Sequence, residues 1–93
     1  MITITEKELR FIANMLAVRL RKEKAREVRV VLDFYEGVRV EWLGSNGYNY
    51  VEFNPTHGEG VFYDCATGSS WFYYTRNTPL AEYWRIVEKS IQK

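Results

Sequence analysis

Between Val28 and Phe53 the chain reads VRVVLDFYEGVRVEWLGSNGYNYVEF, and few folds accommodate such a run. Apolar and polar residues alternate along it, and two glycine-bearing breaks divide it into three segments. Period-two alternation bounded by turn residues is the mark of half-buried strands. The run therefore predicts an antiparallel three-stranded meander. Side chains on a strand alternate between faces, so a one-residue slip at either turn would invert a whole strand. Loop length has to be read from the side chains each choice would oppose.

At the first break, a two-residue turn at Glu36-Gly37 would place Arg39 and Glu41 on the face of Val30, Leu32 and Phe34. A three-residue loop, Tyr35-Glu36-Gly37, avoids this, with Gly37 in the left-handed position of a type I turn plus bulge. Val28, Val30, Leu32, Phe34, Val38, Val40 and Trp42 then share one face, and Asp33 falls opposite Arg39 on the other. At the second break, an Asn46-Gly47 two-residue turn would set Glu41 against Glu52. A four-residue loop, Gly44 to Gly47, pairs Arg39 with Glu52 and Val40 with Val51. Opposite charges across a ladder help by ~0.2–1 kcal/mol and like charges hurt, so the four-residue loop is preferred. The outward face then carries Asp33, Arg39 and Glu52, with Tyr35, Tyr48 and Tyr50 beside them.

Helices flank the sheet in sequence. Thr5-Glu6-Lys7-Glu8 is a capping box, with Ile4 and Leu9 placed for a hydrophobic staple. A helix is predicted from Glu6 to about Ala25. Leu9, Ile12, Leu16 and Leu20 form one stripe on it, and Phe11, Met15 and Val18 a second. A helix apolar over so much of its girth is either deeply embedded or in contact with a partner. Val61 to Cys65 reads as a fourth strand with Val61, Tyr63 and Cys65 inward. Trp71 to Thr75 reads as a fifth, after a turn at Ala66 to Ser70. Whether Trp71 and Tyr73 or Phe72 and Tyr74 face inward depends on one residue of loop length. Thr78-Pro79 starts a last helix, with Thr78 as cap. Its apolar stripe is Leu80, Tyr83, Trp84, Val87 and Ile91. Met1 to Ile4 could add a short edge strand. The expected fold is one α+β domain over residues 1–93: a five-stranded antiparallel β-meander with an N-terminal and a C-terminal α-helix packed on it.

Composition bears on function at three points. A chain of 93 residues has to build its core from large side chains, and three Trp, seven Tyr and five Phe supply them. One cysteine excludes an internal disulfide and any multi-cysteine zinc site. A secreted domain this small would usually carry several bridges, and no secretory leader is legible, so a cytoplasmic location is expected. No stretch is long and apolar enough to suggest a bilayer span. Net charge is +1, but residues 19–29 hold six basic groups, Arg21, Lys22 and Arg26 among them, against two acidic ones. That asymmetry points weakly to an anionic partner, although a helix C-terminus attracts cations in any case.

Catalytic patterns are absent from this reading. His57 and Cys65 sit at opposite ends of the fourth strand, roughly 25 Å apart at ~3.3 Å per residue, whereas a nucleophile and its base need ~3 Å. No phosphate loop, dinucleotide fingerprint or metal-ligand spacing occurs. The expectation is a non-catalytic protein without metal or cofactor: an inhibitor, adaptor or accessory subunit. It would dock a protein partner, a second copy of itself included, through the aromatic sheet face or the N-terminal helix. The residues carrying binding would be Tyr35, Arg39, Tyr48, Tyr50 and Glu52, with Arg21, Lys22 and Arg26.

The alternative is a single-stranded nucleic-acid-binding module. Gly47, Tyr48, Tyr50, Val51 and Phe53 partly resemble the ribonucleoprotein signature of RNA-recognition domains, [KR]-G-[FY]-[GA]-F-V-x-[FY]. The resemblance implies that Tyr48 and Tyr50 stack on bases from an open sheet face while the 19–29 cluster meets phosphates. Asn46 and Asn49 depart from that signature, and so does the predicted order of elements.

Overall fold

A computed structural model describes residues 4–32, 37–54, 58–75 and 77–91. In chain order the elements are α1 (Glu6–Lys22), β1 (Arg26–Leu32), β2 (Val38–Leu43), β3 (Tyr48–Asn54), β4 (Glu59–Asp64), β5 (Gly68–Tyr73) and α2 (Leu80–Glu88). The strands form one open antiparallel sheet in the order β1-β2-β3-β4-β5. This is the α+β meander the pattern predicts.

Helix α1 begins at the capping box. The Glu8 amide donates to Thr5 Oγ1 at 3.1 Å, and the Thr5 amide donates to Glu8 Oε1 at 3.0 Å. Ile4 and Leu9 on either side of the cap are both buried in the core. The helix stops at Lys22, short of the expected Ala25, because Lys24 turns left-handed at φ 69°. The Ala25 amide reaches back to the Leu20 carbonyl at 2.9 Å, and the Lys24 amide to that of Arg21 at 3.0 Å. These two bonds make a Schellman ending, with lysine where glycine is usual.

The expected inner faces of β2 and β3 are observed. Val38, Val40, Trp42, Val51 and Phe53 are buried, and both helices cover them from the same side. From α1 come Leu9, Ala13, Leu16, Ala17 and Leu20; from α2 come Tyr83 and Val87. Phe53 anchors an aromatic cluster, meeting Phe72, Tyr74 and Tyr83 edge-on with ring centroids 5.3–5.8 Å apart. Trp42 stacks on Phe62. Gly60 is required in this layer, because a Cβ there would lie 2.2 Å from the Phe72 ring.

The β2–β3 register matches expectation residue for residue, Arg39 opposite Glu52 and Val40 opposite Val51. Four expectations are corrected. Leu32 pairs with Val38 and Val31 with Arg39, so the first hairpin is two residues longer than a Tyr35-Glu36-Gly37 loop allows. An even shift leaves Val30 on the side of Val40 and Arg29 on that of Glu41, as predicted. Tyr35, Asp33 and Phe34 lie outside the described residues, as do His57 and Met1 to Thr3. On β4, Gly60, Phe62 and Asp64 face the helices while Val61 and Tyr63 face away, the reverse of the sequence reading. Phe53 lies opposite Gly60 and Glu52 opposite Val61, which fixes this. Strand β5 begins at Gly68, after a turn at Cys65 to Thr67, and pairs Val61 with Trp71. The open question there is thereby resolved: Phe72 and Tyr74 point inward, Trp71 and Tyr73 outward. Finally, Thr78 does not cap α2. Its Oγ1 accepts from the Thr75 amide at 2.8 Å, and Pro79 occupies the cap position without a side-chain bond.

Two stability predictions follow from these contacts. Lys24→Gly removes the left-handed penalty of a side chain bearing Cβ, and should raise stability by about 0.5–1 kcal/mol. Urea unfolding would read this as a higher midpoint at unchanged slope. Tyr74 donates to the Asn54 carbonyl at 2.5 Å. Burial, and then Tyr83, lift its phenol far above the ordinary value; burial lifts Tyr83 as well. A group whose folded pKa is raised stabilises the fold fully below its unfolded value of about 10 and loses that contribution as pH rises further. Unfolding midpoints should be flat from about pH 7 to 9 and fall above about pH 10. Tyr74→Phe should cost about 1 kcal/mol at pH 8 and show a shallower alkaline fall.

Candidate functional site

Because α1 and α2 share one side of the sheet, the opposite side has no covering layer among the described residues. Its side chains form rows across the strands. One row runs Arg29, Glu41, Tyr50, Tyr63, Ser69; the next runs Val31, Arg39, Glu52, Val61, Trp71. Leu43 and Tyr48 lie beyond the first row, and Glu59 and Tyr73 beyond the second.

At the centre of this face charge is internally paired. Arg39 donates to Glu52 Oε1 from Nη2 at 2.7 Å and from Nε at 3.1 Å, and its Nη1 reaches Glu41 at 3.4 Å. Arg29 closes on Glu41 at 2.8 Å. Burial alone would lower the Arg39 pKa, but the bonds to Glu52 and Glu41 and their negative charge outweigh it and hold the guanidinium above its ordinary value. The arginines also cover rings: Arg39 lies 4.2 Å from the Tyr50 centroid and Arg29 lies 5.3 Å from that of Tyr48. Tyr50 stacks on Tyr63 at 5.2 Å. The Tyr48 hydroxyl donates to Glu27 at 2.8 Å, which raises its pKa. The centre of the face is thus an ordered block of two cations, three carboxylates and three phenols.

Towards β5 this order gives way to open aromatic surface. Trp71 is 69% exposed and Tyr73 79%. Both rings, with Tyr63 and Val61, are absent from the set of binding residues expected from sequence. The signal for them was the span from Asp64 to Gly68. Across this turn the Thr67 amide donates to the Asp64 carbonyl, and Gly68, the first residue of β5, takes φ 98°. That loop fixes how β5 faces relative to β4, whose own facing is set by its pairing with β3.

Compared with known proteins, the chain matches no family model, no curated protein and no solved structure. The residues themselves therefore carry the functional argument.

Arg39, Tyr48, Tyr50 and Glu52 come together on the outward face as expected. Arg21 and Lys22 do not join them. They belong to α1, on the far side of the sheet, and Arg21 Nη2 donates to the Val28 carbonyl at 3.0 Å. Arg26 is exposed on β1, opposite Leu43. Phosphate contacts from the helix end and base stacking on Tyr48 and Tyr50 would fall on opposite sides of the sheet. The meander order also differs from the alternation of RNA-recognition domains, so the likeness stops at the eight residues that suggested it.

Two other places were open to function. The second α1 stripe is exposed: Phe11 at 65%, with Val18 and Met15. A shallow apolar groove lined by Met15, Val18, Leu80 and Trp84 separates it from α2, with Arg19 lying 4.6 Å from the Trp84 ring centre. At one end of the sheet, a polar cleft includes Trp42, Asn49, Asp64 and Cys65. Its buried polar groups serve the fold: Asn49 Oδ1 accepts from the Cys65 amide at 2.8 Å, and Asp64 from the Ala66 amide at 2.8 Å. Among the described residues no three His, Cys, Asp or Glu side chains are grouped to hold a metal ion, and no helix is long and apolar enough to cross a membrane.

The Arg39–Glu52 pair is half-buried and bidentate at the guanidinium, so it should exceed the usual surface ion pair. A double-mutant cycle of Arg39→Met and Glu52→Gln should give a coupling of about 1 kcal/mol, read from unfolding midpoints. A coupling indistinguishable from zero would remove Arg39 as the organiser of this face.

Proposed function

We propose that the chain is a non-catalytic protein-docking module, an inhibitor, adaptor or accessory subunit, whose binding surface is the sheet face opposite the helices. One observation carries this reading: both helices cover the same side, leaving Tyr48, Tyr50, Tyr63, Trp71 and Tyr73 together on the other. Tyrosine and tryptophan give large contact area at low entropic cost and dominate binding hot spots. Arg29 and Arg39, themselves held by glutamates, keep Tyr48 and Tyr50 in place, so little ordering of these two remains to be done on binding. A face whose central charges are already neutralised internally suits a protein surface that is itself apolar at the centre and polar at the rim.

The test uses Tyr50→Ser combined with Tyr63→Ser, which deletes the stacked pair and leaves both helices and β5 untouched, against Phe11→Ser on α1. Affinity capture from native lysate, quantified by mass spectrometry, should recover a stoichiometric partner with the wild type and with Phe11→Ser. Recovery with the tyrosine double variant should drop at least tenfold. Retention by that variant together with loss in Phe11→Ser would move the docking site to the helix.

A further inference from the structure

The two edges of the sheet are built differently. Strand β1 carries Arg26, Glu27 and Arg29, and its ladder is interrupted by a bulge between Arg26 and Arg29, where Glu27 takes φ 53°. Charge and a bulge are the usual protections of an edge. Strand β5 has neither. Gly68-Ser69-Ser70-Trp71-Phe72-Tyr73 contains no charge and no proline, and pairs with β4 without a register shift.

The direction of its backbone groups follows from the ladder. The Tyr74 amide donates to the Gly58 carbonyl, so that pair is hydrogen-bonded. Antiparallel pairs alternate, which makes Phe72–Gly60, Ser70–Phe62 and Gly68–Asp64 the bonded pairs within the sheet. Ser69, Trp71 and Tyr73 therefore turn their amides and carbonyls to the free edge, and their side chains to the uncovered face.

We propose that β5 pairs with β5 of a second copy, antiparallel about a two-fold axis at Trp71, to form one continuous ten-stranded sheet. The register is the one that uses all three free positions: Trp71 opposite its own symmetry mate, and Ser69 opposite Tyr73 in both directions. It keeps the outward faces of the two copies on the same side, so the two Trp71 rings meet and each Tyr73 packs over the small Ser69. An uncharged strand sets no like charges against each other when paired with itself, which a charged edge would. Aromatic side chains bury ~150–250 Å² each. Four such rings with the strand backbones reach towards the ~1,200 Å² at which stable interfaces begin. The guarded β1 edge stops further growth, so assembly closes at two.

Trp71 and Tyr73 also belong to the docking face, but this inference rests on the β5 backbone edge, whereas the docking test turns on Tyr50 and Tyr63. Light scattering after size exclusion, from about 1 to 500 μM, should show the mass rising from one chain to two. Hydrogen exchange should slow with concentration at the Ser69, Trp71 and Tyr73 amides and not along α1. Trp71→Pro removes one free-edge amide and leaves every bond to β4 in place. Trp71→Lys keeps the amide and adds charge. Both should keep the wild-type circular dichroism and stay at one chain throughout. A wild type of single-chain mass at 500 μM would overturn the proposal, as would open-ended growth or a dimer persisting in folded Trp71→Lys. Capture through Tyr50 and Tyr63 is tested separately by the double variant, in which β5 is unchanged.

Discussion

The sheet depends on a choice that hydrophobicity cannot make. Moving β3 by two residues along β2 would bury the same apolar side chains, since an even shift preserves both faces. What separates the two registers is charge. In the observed one Arg39 faces Glu52 and holds it at 2.7 Å; in the shifted one Glu41 would face Glu52. Each cross-strand term is on the order of 0.2–1 kcal/mol, small beside the burial of Trp42 or Phe53. It decides the outcome because burial is equal on both sides of the comparison. Arg39 therefore fixes where Val40 meets Val51, and with it how Trp42 and Phe53 present themselves to the helices.

The same reasoning explains which parts of the fold were legible in the sequence. From Thr5 to Phe53 the determinants are local or pairwise: a capping box, a stripe at helical spacing, strict alternation, opposed charges. Each leaves a pattern in the chain. The departures occur where the determinant leaves none. Lys24 ends α1 in a conformation that glycine would have announced. The bulge at Glu27 and the longer first hairpin alter pairing without altering faces. On β4 the inward position opposite Phe53 is Gly60, which has no side chain to betray its direction; the ring of Phe72 fills that place from the next strand. Alternation starting at Val61 therefore gives a phase one residue out. The candidate site inherited the same division. Its Arg39, Tyr48, Tyr50 and Glu52 portion lies on the well-determined strands, and its Tyr63, Trp71 and Tyr73 portion on the ones whose facing hung on a loop.

Aromatic residues on the two faces answer to different constraints. Inside, Phe53, Phe72, Tyr74 and Tyr83 pack edge-on and are the bulk by which a short chain fills its core. Outside, Tyr48 and Tyr50 lie under arginines whose carboxylate partners are already in place, so their exposure has a local explanation in sheet stability. Trp71 and Tyr73 have no such explanation. They stand at 69% and 79% exposure on the last strand, past the reach of the Arg39 network, beside a backbone edge that still has bonds to offer. Large apolar rings next to unpaired strand groups are a hazard that soluble proteins ordinarily suppress. The chain does suppress it at β1, with charge and a bulge. Leaving β5 bare while guarding β1 is a difference between two edges of one sheet, in one sequence. The economical physical reading of that difference is that the β5 edge is covered when the protein is at work.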